Sequence, residues 1–271
     1  MDLYGVIGRP LEHSLSADYF TRKFASAGEL DLREYRKIEL ESIDHLTPYL
    51  ADHPELKGFN VTHPYKEAII PLLSSLSEEA ERIGAVNCVR VLDDGRLEGH
   101  NTDYEGFGAA LCDMLQSARP EALVLGTGGA SKAVQAFLRD HNFTFKLISR
   151  GERGDMTYEQ LTEEDIARHL LIINTTPLGM YPLVGECPPI PYEHLTPNHY
   201  LFDLVYNPSV TEFLRRGQMQ GAVVCNGQKM FVCQAEASWR FFGVSFGSFP
   251  PKSSSHSPHY ALCSLVKNSS K

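Results

Sequence analysis

No stretch of this chain approaches the roughly 18 consecutive apolar residues that a spanning helix needs, so a membrane protein of that kind is excluded. The opening MDLYGVIG reads as a strand rather than a secretory leader. Positive charge is in deficit: 25 Lys and Arg against 34 Asp and Glu leave a formal net charge of −9. That balance argues against nucleic acid or an anionic membrane as partner, while leaving room for a local basic site. The six cysteines form no CxxC pair and keep no regular spacing, as expected of reduced packing thiols in a cytoplasm. Tryptophan is almost missing, with Trp239 alone. What is present is ordinary globular material, 42% hydrophobic and 22% charged, in 271 residues that allow one large domain or two small ones.

Apolar strands alternate with helical stripes along the chain, the pattern of an α/β protein. In the first half, a strand over residues 2–8 ends at Gly8-Arg9-Pro10, and a helix from about Ser16 carries Tyr19, Phe20 and Phe24 on one stripe. Asp93-Asp94-Gly95 between two apolar runs signals a hairpin. Gly58–Thr62 reads as a buried strand that stops at Pro64 and turns into a helix with Lys66 in its first turn. An ammonium there is disfavoured by the helix dipole, which suits a lysine that must lose and regain a proton. Asp103, in the first turn of the helix expected near 103–116 and capped by Thr102, sits where the same dipole favours a carboxylate.

The second half opens with Ala122–Leu138, an apolar strand, a glycine turn and an amphipathic helix. The turn Gly126-Thr127-Gly128-Gly129-Ala130 has the setting of a dinucleotide fingerprint, with free N–H groups at the helix start facing a pyrophosphate. The third glycine of GxGxxG is missing, and Lys132 or Ala133 is expected in its place. The next strand ends in Ser149-Arg150, with Arg153 beyond. An acid there would accept the ribose hydroxyls of NAD, whereas guanidinium groups suit the 2′-phosphate of NADP. Past Gly243 the composition shifts to Ser, Pro and His without period, and 244–271 reads as a disordered tail. His13 and His63 have no metal-ligand spacing, and no metal is expected.

Several strings occur in one order: Gly8-Arg9-Pro10-Leu11-Glu12-His13-Ser14-Leu15-Ser16, Asn60-Val61-Thr62-His63-Pro64-Tyr65-Lys66, Gly84-Ala85-Val86-Asn87 and Asn101-Thr102-Asp103-Tyr104-Glu105-Gly106. Asn174-Thr175-Thr176-Pro177-Leu178-Gly179-Met180, Asp203-Leu204-Val205-Tyr206-Asn207-Pro208 and Gly227-Gln228-Lys229-Met230 with Gln234-Ala235 follow. Together they resemble the signatures of the shikimate dehydrogenase family over about residues 4–242. Departures are Ala17 in place of a common proline, the second arginine of the 149–153 loop one position early, and the tail.

The resemblance implies NADP-dependent reversible reduction of 3-dehydroshikimate to shikimate in aromatic biosynthesis. It implies an N-terminal α/β substrate domain, residues 1–102 plus about 228–243, and a Rossmann-like, doubly wound NADP-binding domain over 103–227. Lys66 and Asp103 are the catalytic pair it implies. Ser14 and Ser16 with Tyr206 are implied to hold the substrate carboxylate, and Asn60, Thr62, Asn87 and Gln234 the ring hydroxyls. Gly126, Gly128, Gly129, Ala130, Ser149, Arg150, Arg153, Thr175 and Gly227 are implied for the cofactor. The expected partners are small molecules, for a cytoplasmic monomer or homodimer. Two rivals stand beside this reading: a quinate/shikimate dehydrogenase with relaxed substrate or NAD use, and a nucleotide-binding sensor without turnover. A sensor need not keep Lys66 and Asp103 together.

Overall fold

The computed structural model describes residues 1–243, so the tail expected over 244–271 lies outside the described residues. Packing divides the described chain into two compact units, Met1–Thr102 with residues 235–243, and Asp103–Gln234.

The first unit contains β1 (Asp2–Gly8), α1 (Ser16–Ala27), β2 (Arg33–Glu39), α2 (Leu46–Asp52), β3 (Leu56–Val61), β4 (Ser75–Leu76), α3 (Glu78–Ile83), β5 (Cys88–Val91) and β6 (Leu97–His100). Its sheet runs β2-β1-β3-β5-β6-β4. β1, β2 and β3 are parallel, and β5 lies antiparallel between β3 and β6. Both faces are covered, so β1 is apolar almost throughout rather than alternating. Leu3 and Ile7 point into one core cluster, with Ile38, Leu46 and Phe59. Tyr4 and Val6 point into the other, with Phe20, Phe24, Trp239 and Phe242. The helix α3 is bounded by its own sequence: the Ser77 hydroxyl accepts from the Ala80 N–H at 3.1 Å, and Gly84 ends it in a left-handed conformation.

The second unit contains α4 (Asp103–Leu115), β7 (Ala122–Leu125), α5 (Gly129–Asp140), β8 (Phe145–Ser149), β9 (Met156–Thr157), α6 (Glu163–Arg168), β10 (Leu171–Asn174), β11 (Tyr200–Asp203), α7 (Glu212–Met219) and β12 (Val223–Cys225). All its strands are parallel, in the order β12-β11-β10-β7-β8-β9. The chain builds outward from β7 to β9, then returns to the centre and builds from β10 to β12. This is the doubly wound arrangement, with its switch point between β7 and β10. Ala122 and Val124 face one cluster and Leu123 and Leu125 the other, so helices on both sides are needed to cover the sheet.

Helix α8 (Gln228–Phe241) belongs to both units. Its Met230 packs with Phe107, Leu111 and Phe202 of the second, whereas its Ala235 and Trp239, with Phe242 just beyond the helix, pack with Tyr4, Phe20 and Phe24 of the first. By packing, the return to the first unit falls within the helix, after Gln234.

The helix expected around Lys66 is absent. Residues 62–69 form turns and lead into a 3-10 turn at Ile70–Leu72. An α-helix would pair the Lys66 carbonyl with the Ile70 N–H. Instead that carbonyl accepts from Val86 N–H at 2.7 Å, while Ile70 bonds Glu67 at 3.2 Å. Pro71 has no N–H to offer Glu67, so the turn tightens and stops. The helix-dipole reason for Lys66 falls with the helix.

Candidate functional site

In the first unit the candidate residues gather at the carboxyl ends of β1 and β3. Thr62 follows β3 and donates its N–H to the Ile7 carbonyl at 2.9 Å. The loop after β1 turns at Leu11–Ser14, with Ser14 N–H on the Leu11 carbonyl at 3.0 Å, and Leu11 is buried beneath it. The Ser14 hydroxyl lies 3.5 Å from that of Ser16 and accepts the Ser16 N–H at 3.4 Å. A turn, not an extended segment, makes the two hydroxyls converge. Ser16 is the first residue of α1 rather than its cap. Lys66 is half-buried between two anchors: Tyr65, whose hydroxyl donates to the Leu40 carbonyl at 2.6 Å, and the fully buried Ile69.

The hydrogen bond from Val86 to the Lys66 carbonyl places Asn87 next in line. Its side-chain oxygen accepts the Thr102 N–H at 2.7 Å, and its amide donates to the Thr102 hydroxyl at 3.0 Å. The Thr102 hydroxyl lies 3.0 Å from that of Ser238. Asp103 follows as the first residue of α4, its carboxylate favoured by that helix start and only 5% exposed.

Asn60 requires a correction. Its amide donates to the Asn87 carbonyl at 3.1 Å and to the Ser238 hydroxyl at 2.7 Å, and its oxygen accepts from Tyr35 at 2.8 Å. Both donors are used inside a buried network, so Asn60 braces β3 against β2 and α8 instead of reaching a ligand. Ser238 is absent from the candidates that the sequence offers. A serine among the apolar positions of α8 is the available signal.

The second unit builds its candidate site at the switch point. Gly126 ends β7 with φ 107°. A Cβ there would lie 2.8 Å from the Thr175 hydroxyl, so only glycine lets the β7 and β10 ends approach. Gly128 is the cap of α5, has no side-chain cap bond, and faces open space on its Cβ side. The first N–H groups of α5, from Gly129 and Ala130, thus start a helix beside a turn that a phosphate can approach. The third glycine position is filled by Ser131, not by Lys132 or Ala133. Ser131 is fully buried and its hydroxyl donates to the Gly126 carbonyl at 2.7 Å, closing the turn on itself.

Past β8, Ser149 turns onto its own loop, accepting from the Gly151 N–H at 3.2 Å and donating to the Gly151 carbonyl. It shapes the loop that carries Arg150. Asp155 ties the far end back, accepting the Leu147 N–H at 2.7 Å. Arg150 and Arg153 are left exposed, and neither forms a hydrogen bond or ion pair with a described residue. Burial pushes the Tyr158 hydroxyl up to about 12, with the Arg150 charge pulling the other way.

Thr175 directs both N–H and hydroxyl to the Leu125 carbonyl, at 2.9 and 2.6 Å. Gly227 donates to the Val205 carbonyl at 3.1 Å, and any Cβ on it would collide with the Leu204 carbonyl. Tyr206 stacks on Phe231 at 4.7 Å, and Gln234 donates to the Phe231 carbonyl at 3.0 Å. Gly227, Tyr206 and Gln234 therefore share the start and one flank of α8.

Beneath this edge lies the fully buried Asp203. Burial pushes its carboxyl up to about 7, against the pull of hydrogen bonds from Thr211, Val205 and Asn174. The raised value means the folded protein holds the proton more tightly than the unfolded chain, whose aspartate titrates near 3.8. The stabilisation is complete below the unfolded value and is lost as pH rises through about 7. Melting temperatures of Asp203→Asn and wild type should coincide near pH 4, the variant gaining on the wild type until about pH 7. A difference that is flat with pH would contradict the titration.

Comparison with known proteins agrees with both units. The family model of the shikimate dehydrogenase substrate binding domain matches residues 6–89. Shikimate dehydrogenase (NADP(+)) of Clostridium beijerinckii is 38% identical over 250 residues, covering 87% of this chain and 89% of that one. The structure of shikimate 5-dehydrogenase from Thermus thermophilus, in complex with NADP(H) and shikimate, superimposes with a TM-score of 0.78 at 30% identity, covering 91% of this chain and 95% of that one. Quinate dehydrogenase from Corynebacterium glutamicum, in complex with NAD, gives a TM-score of 0.77 at 28% identity, covering 90% and 94%. Identity at this level across nearly the whole length, on a substrate-domain match and a doubly wound second unit, leaves one conclusion: the chain belongs to the shikimate dehydrogenase family.

Proposed function

We propose that the chain catalyses the NADP-linked, reversible reduction of 3-dehydroshikimate to shikimate, in the cytoplasm, as a monomer or homodimer. The observation that carries this reading is the switch-point edge: an open glycine turn at a helix start, with exposed guanidinium groups at the end of the neighbouring strand. The relatives named for NADP and shikimate supply the substrate class. When bound, NADPH supplies the hydride. The residues fit such a group, since Gly128 leaves space on its Cβ side and Arg150 and Arg153 have no competing anion among the described residues. The α5 start and its glycines receive the pyrophosphate, Thr175 and Gly227 shape the flanks, and Arg150 meets the 2′-phosphate.

Lys66 and Asp103 are the acid–base groups, one giving a proton to the alkoxide that forms as the carbonyl is reduced. Ser14 and Ser16, with Tyr206, hold the substrate carboxylate. Thr62, Asn87 and Gln234 accept and donate to the ring hydroxyls. Asn87 does so while bonded to Thr102, which couples substrate recognition to the start of α4. An assay with shikimate and NADP⁺, followed by the absorbance of the reduced nicotinamide, tests the reading. Quinate and NAD⁺ belong in the same assay, because a quinate dehydrogenase shares this fold at 28% identity. Absence of turnover with shikimate and NADP⁺ would refute the assignment.

Cofactor choice depends on Arg150 in this reading. A hydrogen bond to a charged group contributes about 1.5–3 kcal/mol, which corresponds to roughly 10–150-fold between NADP and NAD. Arg150→Ala should lose most of that preference through weaker NADP binding, with NAD nearly unaffected. Arg150→Asp should go further, since an acid at this strand end repels phosphate and accepts ribose hydroxyls. Values of kcat/KM for both cofactors decide it. An unchanged preference in Arg150→Ala would move selectivity to Arg153.

A further inference from the structure

We propose that the buried Asn174–Asp203 pair is the positioning element of the nucleotide edge, setting the strand-end loops in the geometry that binds the dinucleotide. The inference rests on the reading of that edge as an NADP site. Asn174 and Asp203 end adjacent parallel strands and stand directly opposite in register. Both are fully buried, so neither side chain touches a ligand itself.

Each spends its polar capacity on loops. The Asp203 carboxylate accepts from Asn174 at 2.9 Å, from the Val205 N–H at 3.0 Å and from the Thr211 hydroxyl at 2.5 Å. Thr211 is also the cap of α7. Asn174 donates to the Leu178 carbonyl at 3.2 Å and accepts the Thr176 N–H at 3.0 Å and the Thr176 hydroxyl at 2.6 Å. Two side chains thereby hold residues 176–178 after β10 and residues 205–211 after β11.

Those loops carry the nucleotide edge. Thr175 and Thr176 pack against Gly126 of the glycine turn. Val205 receives the Gly227 N–H, and the Leu204 carbonyl lies where a Gly227 side chain would be. The contacts thus run from strand end to strand end, from β7 through β10 and β11 to the start of α8, with Asp203 at the centre. For stability alone a buried carboxylate is a poor choice, because apolar packing of the same volume often does as well. Three donors converging on one carboxylate instead give a fixed loop geometry.

The test uses the full chain with Asp203→Ala, Asn174→Ala and Asp203→Asn. NADP binding is measured by calorimetry without shikimate, and KM for each substrate by steady-state kinetics. Both alanine variants should weaken NADP binding by roughly 10-fold or more, the effect of one to two unmet buried hydrogen bonds. In Asn174→Ala, whose lost bonds are to residues 176–178 and to Asp203, the KM for shikimate should change less than NADP affinity does, whereas Asp203→Ala, which also releases the segment that carries Tyr206, should raise both. Asp203→Asn, which retains an acceptor for Asn174 and Val205, should bind NADP nearly as the wild type does. If Asp203→Ala fails to fold, Asn174→Ala and the milder Thr211→Val carry the test. Wild-type NADP affinity in a folded Asn174→Ala overturns the proposal, as does an equal loss of shikimate and NADP binding in that same variant. A wild-type chain that binds no NADP overturns the site reading itself, and the inference with it.

Discussion

Lys66→Ala should fold, bind NADP as the wild type does, and lose roughly 10²–10⁴-fold in kcat, the usual effect of removing a positioned acid–base group. The structure makes the substitution clean. The segment around Lys66 is held by the buried Tyr65 and Ile69 and by the Val86 N–H on the Lys66 carbonyl, none of which involves its side chain. Truncation therefore removes the ammonium and leaves the backbone in place. Asp103→Asn should behave likewise. The double variant should be little worse than the poorer single one, because groups that act as a unit are not additive. Calorimetry with NADP separates a chemical defect from a binding defect. Near wild-type turnover in Lys66→Ala would remove it from the mechanism.

The largest stability effect is expected at Trp239. Its ring is 3% exposed, with Tyr4 at 5.0 Å, Phe24 at 5.2 Å, Phe20 at 5.6 Å and Phe242 at 6.2 Å between centroids. The Arg33 guanidinium lies over it at 5.4 Å. Trp239→Ala removes a side chain around which four aromatic rings are arranged, and they cannot collapse fully into the gap. The expected loss is about 3–5 kcal/mol, and Trp239→Phe, which keeps a ring there, should lose less. Urea unfolding followed by circular dichroism measures it, since the fluorescence of the sole tryptophan disappears in both variants. A loss below about 1 kcal/mol would show that the cluster repacks freely.

Much of the fold is legible in the sequence because its causes are local. The unbroken apolar run of Ala122–Leu125, the cap at Ser77 and the glycine turn at Gly126 depend on neighbours within a few residues. Most of the points where sequence and structure part have the opposite cause. The pattern around Lys66 reads as a helix because nothing local shows that Val86, twenty residues on, takes its carbonyl. Asn60 reads as a ligand residue because a polar group ending an apolar strand looks the same whether it faces substrate or Tyr35, Asn87 and Ser238. Ser149 reads as a cofactor contact although Gly151, two residues on, receives its hydroxyl; that is a turn geometry the residue types do not reveal. The short β9 and α6 leave no trace in the pattern because they are too brief to show a period.

What the residues alone determined is the class of protein: two sets of alternating strands and helices, a nucleotide turn at Gly126–Ala130, and guanidinium rather than carboxylate at the end of β8. Each follows from backbone freedom, apolar period or charge type, which are properties of short stretches. Tertiary structure alone decided which polar groups are spent internally and which remain for a ligand. Asn60 and Asp203 were claimed by partners on other elements or loops, while Arg150 and Arg153 were left exposed. A buried donor or acceptor must find a partner wherever the chain brings one, and that pairing is fixed by packing over long separations rather than by the residue itself.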